Sequence, residues 1–177
     1  MLAIASLLDP ATDQQTKNLW QFLEDNCGLA GIKTAPFPHF SWLSCDDLNW
    51  IPVSKNLDRI AIKVKSFKAS TAGLGIFGGS KPILYVSIVK TPELLDIHQQ
   101  IWNKVRRYLV NPQDYYLPEN WMPHITIAYG DLTPANLACA IQNLVFETMS
   151  FEILINNISV IFNTPEGMGI KASFKLE

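Results

Sequence analysis

The sequence lacks several features that mark particular classes of protein. It contains no stretch of about 18 consecutive apolar residues, the length at which a membrane helix is expected. Its longest run of basic residues is Arg106-Arg107, and the formal net charge is -2. Because proteins that bind long nucleic acids usually carry a basic face, we expect neither membrane insertion nor long duplex nucleic acid as a partner.

Cysteine is scarce and shows no paired spacing. The three cysteines, Cys27, Cys45 and Cys139, are odd in number and far apart in the sequence. They predict reduced thiols rather than a disulfide framework or a zinc site. Residues 1–9 are apolar but short and have no basic start, so they predict a first strand and not a signal peptide. We therefore expect a cytoplasmic protein.

Apolar residues, in contrast, are plentiful enough to build a core. Hydrophobic residues make up 48% and charged residues 17% of the 177 positions, which indicates a globular chain. This length fits one domain, and no linker or low-complexity segment divides it. We expect a single domain over residues 1–177, and a monomer.

Three helices are predicted from one local pattern, a capping side chain directly before a proline. The capping side chain accepts a hydrogen bond from a free backbone N–H, and proline is tolerated at the first helical position. Apolar residues at helical spacing follow each site, and the first helix is predicted to end near Gly28. The pattern occurs at Asp9-Pro10, Thr91-Pro92 and Thr133-Pro134.

Segments of strand character lie between and around these helices. Residues 60–68 alternate in polarity, and Gly78-Gly79 indicates a hairpin turn. Together with the helices, the strands predict an α+β fold. They are predicted over residues 2–8, 38–44, 60–68, 72–78, 83–89, 123–129, 151–162 and 168–176.

The order of elements repeats along the chain. Each half has a strand, a capped proline, a helix and then a related segment, PHFSW at 38–42 and PHITI at 123–127. His39 follows Pro10 by 29 positions, and His124 follows Pro92 by 32 positions. This indicates a diverged duplication with pseudo-repeats at roughly residues 1–80 and 81–177. We expect two lobes related by a pseudo-twofold axis, with mainly antiparallel sheets lining a central groove and helices packed outside.

The repeated segments place an imidazole and a hydroxyl on one face of each strand. Because strand side chains alternate, His39 and Ser41 share a face, and so do His124 and Thr126. The opposite faces are apolar and suit packing under the helices. If a twofold axis relates the lobes, two imidazoles and two hydroxyls converge across the groove.

This set of side chains suits phosphoester hydrolysis without a metal. The unperturbed pKa of histidine is about 6.5, so one ring can be neutral while its partner is protonated near neutral pH. The neutral ring takes a proton from water, and the protonated ring donates one to the leaving sugar oxygen. Acid–base help of this kind contributes roughly 10²–10⁴-fold in rate. The hydroxyls donate to the non-bridging phosphate oxygens as charge builds there.

Two copies of a His-x-Ser/Thr-hydrophobic motif, 85 positions apart, resemble the signature of the two-histidine phosphoesterase superfamily. That superfamily includes the 2′-5′ RNA ligase-like proteins and the cyclic nucleotide phosphodiesterases. The similarity extends over the whole chain, because the opening strand and helix, HFSW, GIFGG, ILYVSIV and HITI follow the order of the family. Ser41 stands where threonine is commoner, and Tyr129 lies where many bacterial members carry an arginine.

The resemblance implies a bilobal fold and metal-independent, cofactor-free hydrolysis of a 2′,3′-cyclic phosphate or related 2′-5′ chemistry. It implies that His39 and His124 are the acid and the base, with Ser41 and Thr126 as phosphate ligands. The two roles stay unassigned between the histidines. The expected partner is a small cyclic nucleotide or an RNA end, which would connect the protein with RNA processing.

Aromatic residues and a third histidine lie near these motifs. Phe77, next to the Gly78-Gly79 turn, and Tyr129 are candidates for stacking on a base. Trp42 alternates to the apolar face and is predicted to pack in the core. His98 is interpreted as a surface or boundary residue of its helix, without a catalytic role.

Two other functions remain open from the sequence. A binding module could hold a nucleotide or RNA end without chemistry, and nucleotide binding without hydrolysis would favour it. A metallohydrolase could use the histidines as ligands, although HExxH and a carboxylate within either motif are both missing. Loss of activity on chelation would favour a metallohydrolase.

Overall fold

The computed structural model describes residues 1–165 and 167–177, and it confirms the α+β class. The helices are α1 (Pro10–Cys27), α2 (Trp50–Ala61), α3 (Pro92–Val105) and α4 (Pro134–Leu144). Short 3₁₀ turns cover Gly31–Thr34, Arg106–Tyr108 and Asp114–Tyr116. The strands are β1 (Leu2–Leu7), β2 (His39–Cys45), β3 (Asp47–Leu48), β4 (Phe67–Phe77), β5 (Ile83–Ile88), β6 (Leu109–Val110), β7 (His124–Tyr129), β8 (Glu152–Ile155), β9 (Asn157–Thr164) and β10 (Gly167–Lys175).

The three predicted helix starts are confirmed. Asp9 accepts hydrogen bonds from two backbone N–H groups of the first turn of α1, and Thr91 accepts one from Leu94. Thr133 forms a reciprocal capping box with Asn136 at the start of α4. Helix α1 ends at Gly28, whose left-handed backbone (φ 69°) closes the last turn.

Two four-stranded antiparallel sheets build the scaffold. The first has the strand order β10-β9-β1-β2 and the second the order β7-β5-β4-β8, while β3 and β6 form a separate two-stranded ribbon. The sheets do not divide the chain near residue 80. Strand β4 pairs with β5 in the second sheet, and the C-terminal strands β9 and β10 return to the first sheet beside β1.

Each sheet is covered by two helices. Helices α2 and α3 contribute to a core cluster that contains residues of both sheets, and α1 contributes Trp20 and Leu23 to a second cluster with Val86 and Ile127 of the second sheet. Helix α1 connects two strands of the first sheet but packs on the second. Buried apolar contacts therefore join the N-terminal part of the chain to both sheets.

The predicted strand over residues 60–68 is wrong in its first part. Ile60 and Ala61 end α2, and β4 begins at Phe67. Val53, Leu57 and Ile60 recur at helical spacing and are buried, whereas Ile62 of the apparent alternation is 64% exposed. The helical stripe buries more apolar surface than the short alternation could, so packing decides for the helix.

The prediction that all three thiols are reduced is also wrong. Cys27 and Cys139 form a disulfide between the end of α1 and α4, with Cα atoms 5.7 Å apart and 112 positions between them in the sequence. The two helices lie side by side over the second sheet, which the spacing of the cysteines did not reveal. Cys45 is free and buried in β2.

Candidate active site

The strands that carry the two motifs are edge strands that meet. Strand β2 is the last strand of the first sheet, β7 is the first strand of the second, and the two strands are in contact. His39 begins β2 and His124 begins β7. The two motifs, far apart in the sequence, therefore lie next to each other.

Both strands are bulged at the same position of the motif. In β2, Ile4 pairs with Leu43 and Ala5 with Ser41, so Trp42 is the extra residue. In β7, Leu84 pairs with Ala128 and Tyr85 with Thr126, so the extra residue is Ile127. A bulge interrupts the ladder and bends the strand. It follows the hydroxyl residue in each half, which supports the expected pseudo-twofold relation.

A tryptophan indole fixes the backbone of each hydroxyl residue beside its bulge. Trp121 donates from Nε1 to the carbonyl oxygen of Ser41 at 3.0 Å. Trp20, on α1, donates from Nε1 to the carbonyl oxygen of Thr126 at 3.2 Å. Each indole gives a hydrogen-bond donor to a carbonyl next to the bulge. The backbone of both hydroxyl residues is therefore fixed by a buried side chain on the core side of the strand.

One groove of about 260 Å³ brings the four motif side chains together. His39, Ser41, His124 and Thr126 all line it. The alternate residues point away into the core, where Phe40, Trp42, Ile125 and Ile127 are buried, as the strand alternation predicted.

The two imidazoles are held in the same way. Nδ1 of His39 lies 3.2 Å from the carbonyl oxygen of Phe37, and Nδ1 of His124 lies 2.6 Å from that of Met122. A carbonyl can only accept, so Nδ1 carries a proton in both rings. Nε2 is therefore the atom of each ring that can accept or donate a proton in the groove.

Burial lowers the pKa of both histidines. For His39 the cause is desolvation, opposed by the hydrogen bond to Phe37 and reinforced by the charge of His124. For His124 the cause is again desolvation, opposed by the hydrogen bond to Met122. Both rings are therefore neutral in the free protein near pH 7. An anion bound between them would favour protonation of one ring.

The described side chains that line the groove carry no formal charge apart from these rings. Among the residues that the structure describes, those lining the groove include no lysine, arginine, aspartate or glutamate side chain. Within residues 1–165 and 167–177, no group of three or more histidine, cysteine, aspartate or glutamate side chains is arranged to hold a metal ion. Within the groove, the described side chains that can meet charge developing on a phosphate are the imidazoles and neutral hydrogen-bond donors, and Lys81 lines the adjoining recess with His124.

Aromatic side chains border the groove beside His124. Phe77 stacks on Tyr85 at 4.4 Å between ring centroids and lies edge-on to His124 at 4.9 Å. Phe77 also lines an adjoining recess of about 150 Å³ with Tyr115 and His124. Tyr129 is 39% exposed and lines the central groove. Both candidates for base stacking thus lie next to the motif residues.

Several residues of the site could not be identified from the sequence. Tyr85 lies 5.0 Å from the ring of His124 and fits over Gly75, where a Cβ would meet its ring. A glycine opposite an aromatic residue on the next strand indicates such a close contact, but the pair can be recognised only when the register of β4 against β5 is known. Tyr116 lines both the central groove and the aromatic recess, and no local pattern points to it.

His98 is not a surface or boundary residue, contrary to the expectation. It is 2% exposed, and its ring stacks on Trp121 with centroids 4.0 Å apart. Trp121 stacks in turn on Trp42, with centroids 5.4 Å apart. Trp121 and His98 therefore stack beneath Trp42 of the first motif strand, and His98 reaches this stack because it lies on the buried side of α3.

Comparisons with known proteins bear on the family and on the fold. A family model described as the 2′-5′ RNA ligase superfamily matches residues 35–160, which include both motifs. No curated protein sequence matches the chain. No helix within the described part of the chain has the length and apolar character to cross a membrane.

Solved structures share the fold along nearly the whole chain. TT0787 of Thermus thermophilus has a TM-score of 0.62 and 14% identity, with 99% of this chain and 98% of that chain covered. Escherichia coli LigT, solved with 3′-AMP, has a TM-score of 0.58 and 13% identity, with 99% and 97% covered. Usb1 of Kluyveromyces marxianus has a TM-score of 0.53 and 14% identity, with 99% and 98% covered.

Because the sequence identities are only 13–14%, the solved structures establish the fold alone. Membership of the family is established by the family model. That superfamily comprises phosphoesterases and RNA ligase-like enzymes. The matched region covers more than half of the chain and spans both histidine strands. The chain belongs to the 2′-5′ RNA ligase superfamily.

Proposed function

We propose that this protein is a phosphodiesterase that opens a 2′,3′-cyclic phosphate, on a nucleotide or an RNA end, with His39 and His124 as its acid and base. The observation that carries the proposal is the matched setting of the two rings. Each ring donates from Nδ1 to the carbonyl two residues earlier and presents its other nitrogen to one shared groove with a hydroxyl beside it.

The reaction needs two proton transfers and no redox step. A neutral imidazole accepts a proton from water at Nε2 as the water oxygen forms a bond to phosphorus. The protonated imidazole opposite donates its Nε2 proton to the 2′ or 3′ oxygen as that oxygen leaves phosphorus. Ser41 and Thr126 donate hydrogen bonds to the non-bridging oxygens. The product is a nucleoside monophosphate, and the two rings have exchanged protonation states.

The lowered pKa of the histidines suits a substrate that brings its own negative charge. In the free protein burial keeps both rings neutral. A neutral ring can act as the base, but the acid has to carry a proton. A bound phosphodiester raises the pKa of the nearest imidazole, so protonation of one ring accompanies binding. The positive charge on that ring disfavours protonation of the other ring. One histidine therefore remains an acid and the other a base.

The ligand class is supported by the surroundings of the groove. LigT of Escherichia coli, which shares the fold, was solved with 3′-AMP, a small nucleotide. In the present chain Phe77 and Tyr129 offer aromatic faces next to the phosphate-binding side chains, and stacking on such a ring stabilises a bound base by roughly 1–3 kcal/mol. An RNA-end substrate would connect the protein with RNA processing. A cytoplasmic location and a monomeric state remain predictions.

The test is turnover of 2′,3′-cyclic nucleotides in the presence of EDTA, with chromatography to identify which hydroxyl keeps the phosphate. Wild type is expected to release a nucleoside monophosphate. His39→Ala and His124→Ala are each expected to lower kcat by roughly 10²–10⁴-fold. Added imidazole is expected to restore part of the rate of either variant.

Three outcomes would count against the proposal. Activity that disappears with EDTA would favour the metallohydrolase. Tight binding of a nucleoside monophosphate without any turnover of mononucleotides or cyclic-phosphate RNA ends would favour the binding module. Full activity of both alanine variants would remove the histidines from the chemistry.

A further inference from the structure

Tyr116 occupies a central place in the groove that the two motifs leave unexplained. Its side chain lines the groove with His39, Ser41 and His124, and it also borders the aromatic recess beside Phe77. It comes from the Asp114–Tyr116 turn, outside both motif strands. A residue that borders both compartments is placed to contact a phosphate as well as the nucleoside attached to it.

The backbone of Tyr116 is tied to the first motif strand. Tyr116 N donates to the carbonyl oxygen of Gln113 at 3.0 Å, and Gln113 N donates to that of Ser44, in β2, at 2.9 Å. The carbonyl oxygen of Tyr116 accepts from Nε2 of His98 at 3.2 Å. His98 stacks on Trp121, which holds the carbonyl of Ser41. Tyr116 and Ser41 are thus positioned by one buried network.

The chemistry of the Tyr116 hydroxyl suits an anion. Burial raises the pKa of the Tyr116 phenol, an effect that the side chain of Ser41 partly opposes. The phenol therefore keeps its proton at neutral pH and can donate. The described lining of the groove has no basic side chain, so neutral donors and imidazolium are the groups placed to contact a phosphate there, while Lys81 lines the adjoining recess.

We propose that the Tyr116 hydroxyl is a third phosphate-binding donor, acting with Ser41 on one non-bridging oxygen of the reacting phosphate. This inference rests on the proposed phosphodiesterase function. With this donor the two halves of the site differ. Ser41 acts with a tyrosine that comes from outside the motif strands, whereas the described lining of the groove contains no corresponding tyrosine for Thr126. The Tyr116 hydroxyl also supplies a donor to a groove whose described lining carries no lysine or arginine.

The test compares Tyr116→Phe with wild type and with Tyr108→Phe, a matched control outside the groove. Removing one donor to a developing charge costs roughly 10²-fold in kcat, so Tyr116→Phe is expected to lose about that much. Tyr108→Phe is expected to keep wild-type kinetics. The melting temperature of each variant is measured in parallel.

A stereochemical readout separates phosphate contact from support of the fold. Sulfur accepts hydrogen bonds more weakly than oxygen, so wild type is expected to cleave the two diastereomers of uridine 2′,3′-cyclic phosphorothioate at different rates. Tyr116→Phe is expected to reduce that ratio, and a merely structural role would leave it unchanged. In a double-mutant cycle, Ser41→Ala and Tyr116→Phe are expected to be non-additive because they act on one oxygen.

The outcomes distinguish this inference from the proposed function. If wild type turns over and both histidine variants are inactive, but Tyr116→Phe keeps its kcat and its diastereomer ratio, the inference is wrong and the function stands. If wild type does not hydrolyse the cyclic nucleotide, the proposed phosphodiesterase function is wrong. The affinity for 3′-UMP then tests whether the Tyr116 hydroxyl binds phosphate. Equal affinity of wild type and Tyr116→Phe would then overturn the inference, whereas an affinity loss of about tenfold would support it.

Discussion

The Nδ1 atom of His124 donates a hydrogen bond to the carbonyl oxygen of Met122, two residues earlier, at 2.6 Å. His39 has the same relation to Phe37, at 3.2 Å. The ring orientation in each half is therefore set by its own strand entry, and Nε2 is left to exchange protons. Because both rings are also partly desolvated, the pH dependence of activity is a direct test of their roles.

The first prediction concerns that pH dependence. Burial lowers the pKa of both His39 and His124 below the ordinary value of about 6.5. The free enzyme needs one neutral and one protonated ring, so kcat/KM is expected to peak below pH 6.5 and to fall about tenfold per pH unit well above the peak. The profile of kcat is expected to lie at higher pH, because the bound phosphate raises the pKa of the acid.

Rates measured from pH 4.5 to 9 with a cyclic nucleotide, at saturating and at low concentration, give both profiles. Overlapping profiles centred above pH 7 would contradict this assignment of the two rings. An inactive double variant, His39→Ala with His124→Ala, sets the background at each pH.

The second prediction concerns the two motif hydroxyls. Ser41→Ala and Thr126→Ala are each expected to lower kcat by roughly 10²-fold, since each removes one donor to the developing charge. Thr126→Ser keeps the hydroxyl and is expected to retain most of the activity. Ser54→Ala removes a hydroxyl on α2, away from the groove, and serves as the control. Equal activity of the threonine and alanine forms at position 126 would exclude the hydroxyl from phosphate binding.

The third prediction concerns the wall of the groove formed by the Gly31–Thr34 turn. Ala30 N and Gly31 N donate to Oδ2 of Asp131 at 2.8 and 2.7 Å. A Cβ at position 31 would collide with the backbone carbonyl oxygen of Tyr129 and lie 2.7 Å from Oδ1 of Asp131. Gly31→Ala is therefore expected to displace the turn, raise KM and cost about 1–3 kcal/mol in the free energy of unfolding.

Gly78→Ala is the control for the stability part of that experiment, because a Cβ there meets no atom within 4 Å. Its free energy of unfolding is expected to stay close to wild type in urea titrations. An unchanged KM and stability in Gly31→Ala would show that the turn can move without consequence for the groove.

The fourth prediction concerns the disulfide. Cys27 and Cys139 are 112 positions apart, so their bond restricts a long loop of the unfolded chain. Reduction, or the double change Cys27→Ser with Cys139→Ser, is expected to lower the free energy of unfolding by about 2–5 kcal/mol. Urea unfolding with and without dithiothreitol measures this difference, and the double serine variant should not respond to dithiothreitol.

Counting free thiols in unreduced, denatured protein gives an independent check. One thiol, that of Cys45, is expected. Three thiols would mean that the purified protein is reduced, as the sequence alone predicted. Because disulfides are rare in the cytosol, this count also bears on the predicted cytoplasmic location.

The fifth prediction concerns stability in acid. Desolvation lowers the pKa of His98 to about 4, and the charge of Lys90 adds to this effect, while hydrogen bonds that the ring donates to backbone carbonyl oxygens oppose it. The unfolded chain binds a proton near pH 6.5, so the free energy of unfolding is expected to fall as the pH drops from 6.5 through about 4. The loss from His98 is about 3 kcal/mol at the acid end.

His98→Gln is the comparison, since glutamine stays neutral and can still donate to the carbonyl of Tyr116. The difference in unfolding free energy between wild type and variant is expected to shrink as the pH is lowered. His39 and His124 contribute in the same direction in both proteins and cancel in that difference. A difference that is constant from pH 4 to 7 would mean that His98 does not titrate as its burial implies.

Local chemistry in the sequence determined where helices start and which motif residues share a face. A cap followed by proline acts on the first turn alone, so Asp9, Thr91 and Thr133 could be recognised directly. Alternation in a strand likewise needs no distant partner, which is why the sequence alone assigns His39 and Ser41 to one face. The same reasoning failed at residues 60–66, where burial of a helical stripe outweighed a short alternation.

Tertiary structure alone decided which distant elements meet. The two histidines share a groove because β2 and β7 are the edge strands of two different sheets and lie in contact. The same long-range packing joins Cys27 to Cys139, buries His98 and brings Tyr116 to the motifs. These contacts follow from the burial of apolar faces between remote segments, a property of the whole fold that no local pattern encodes.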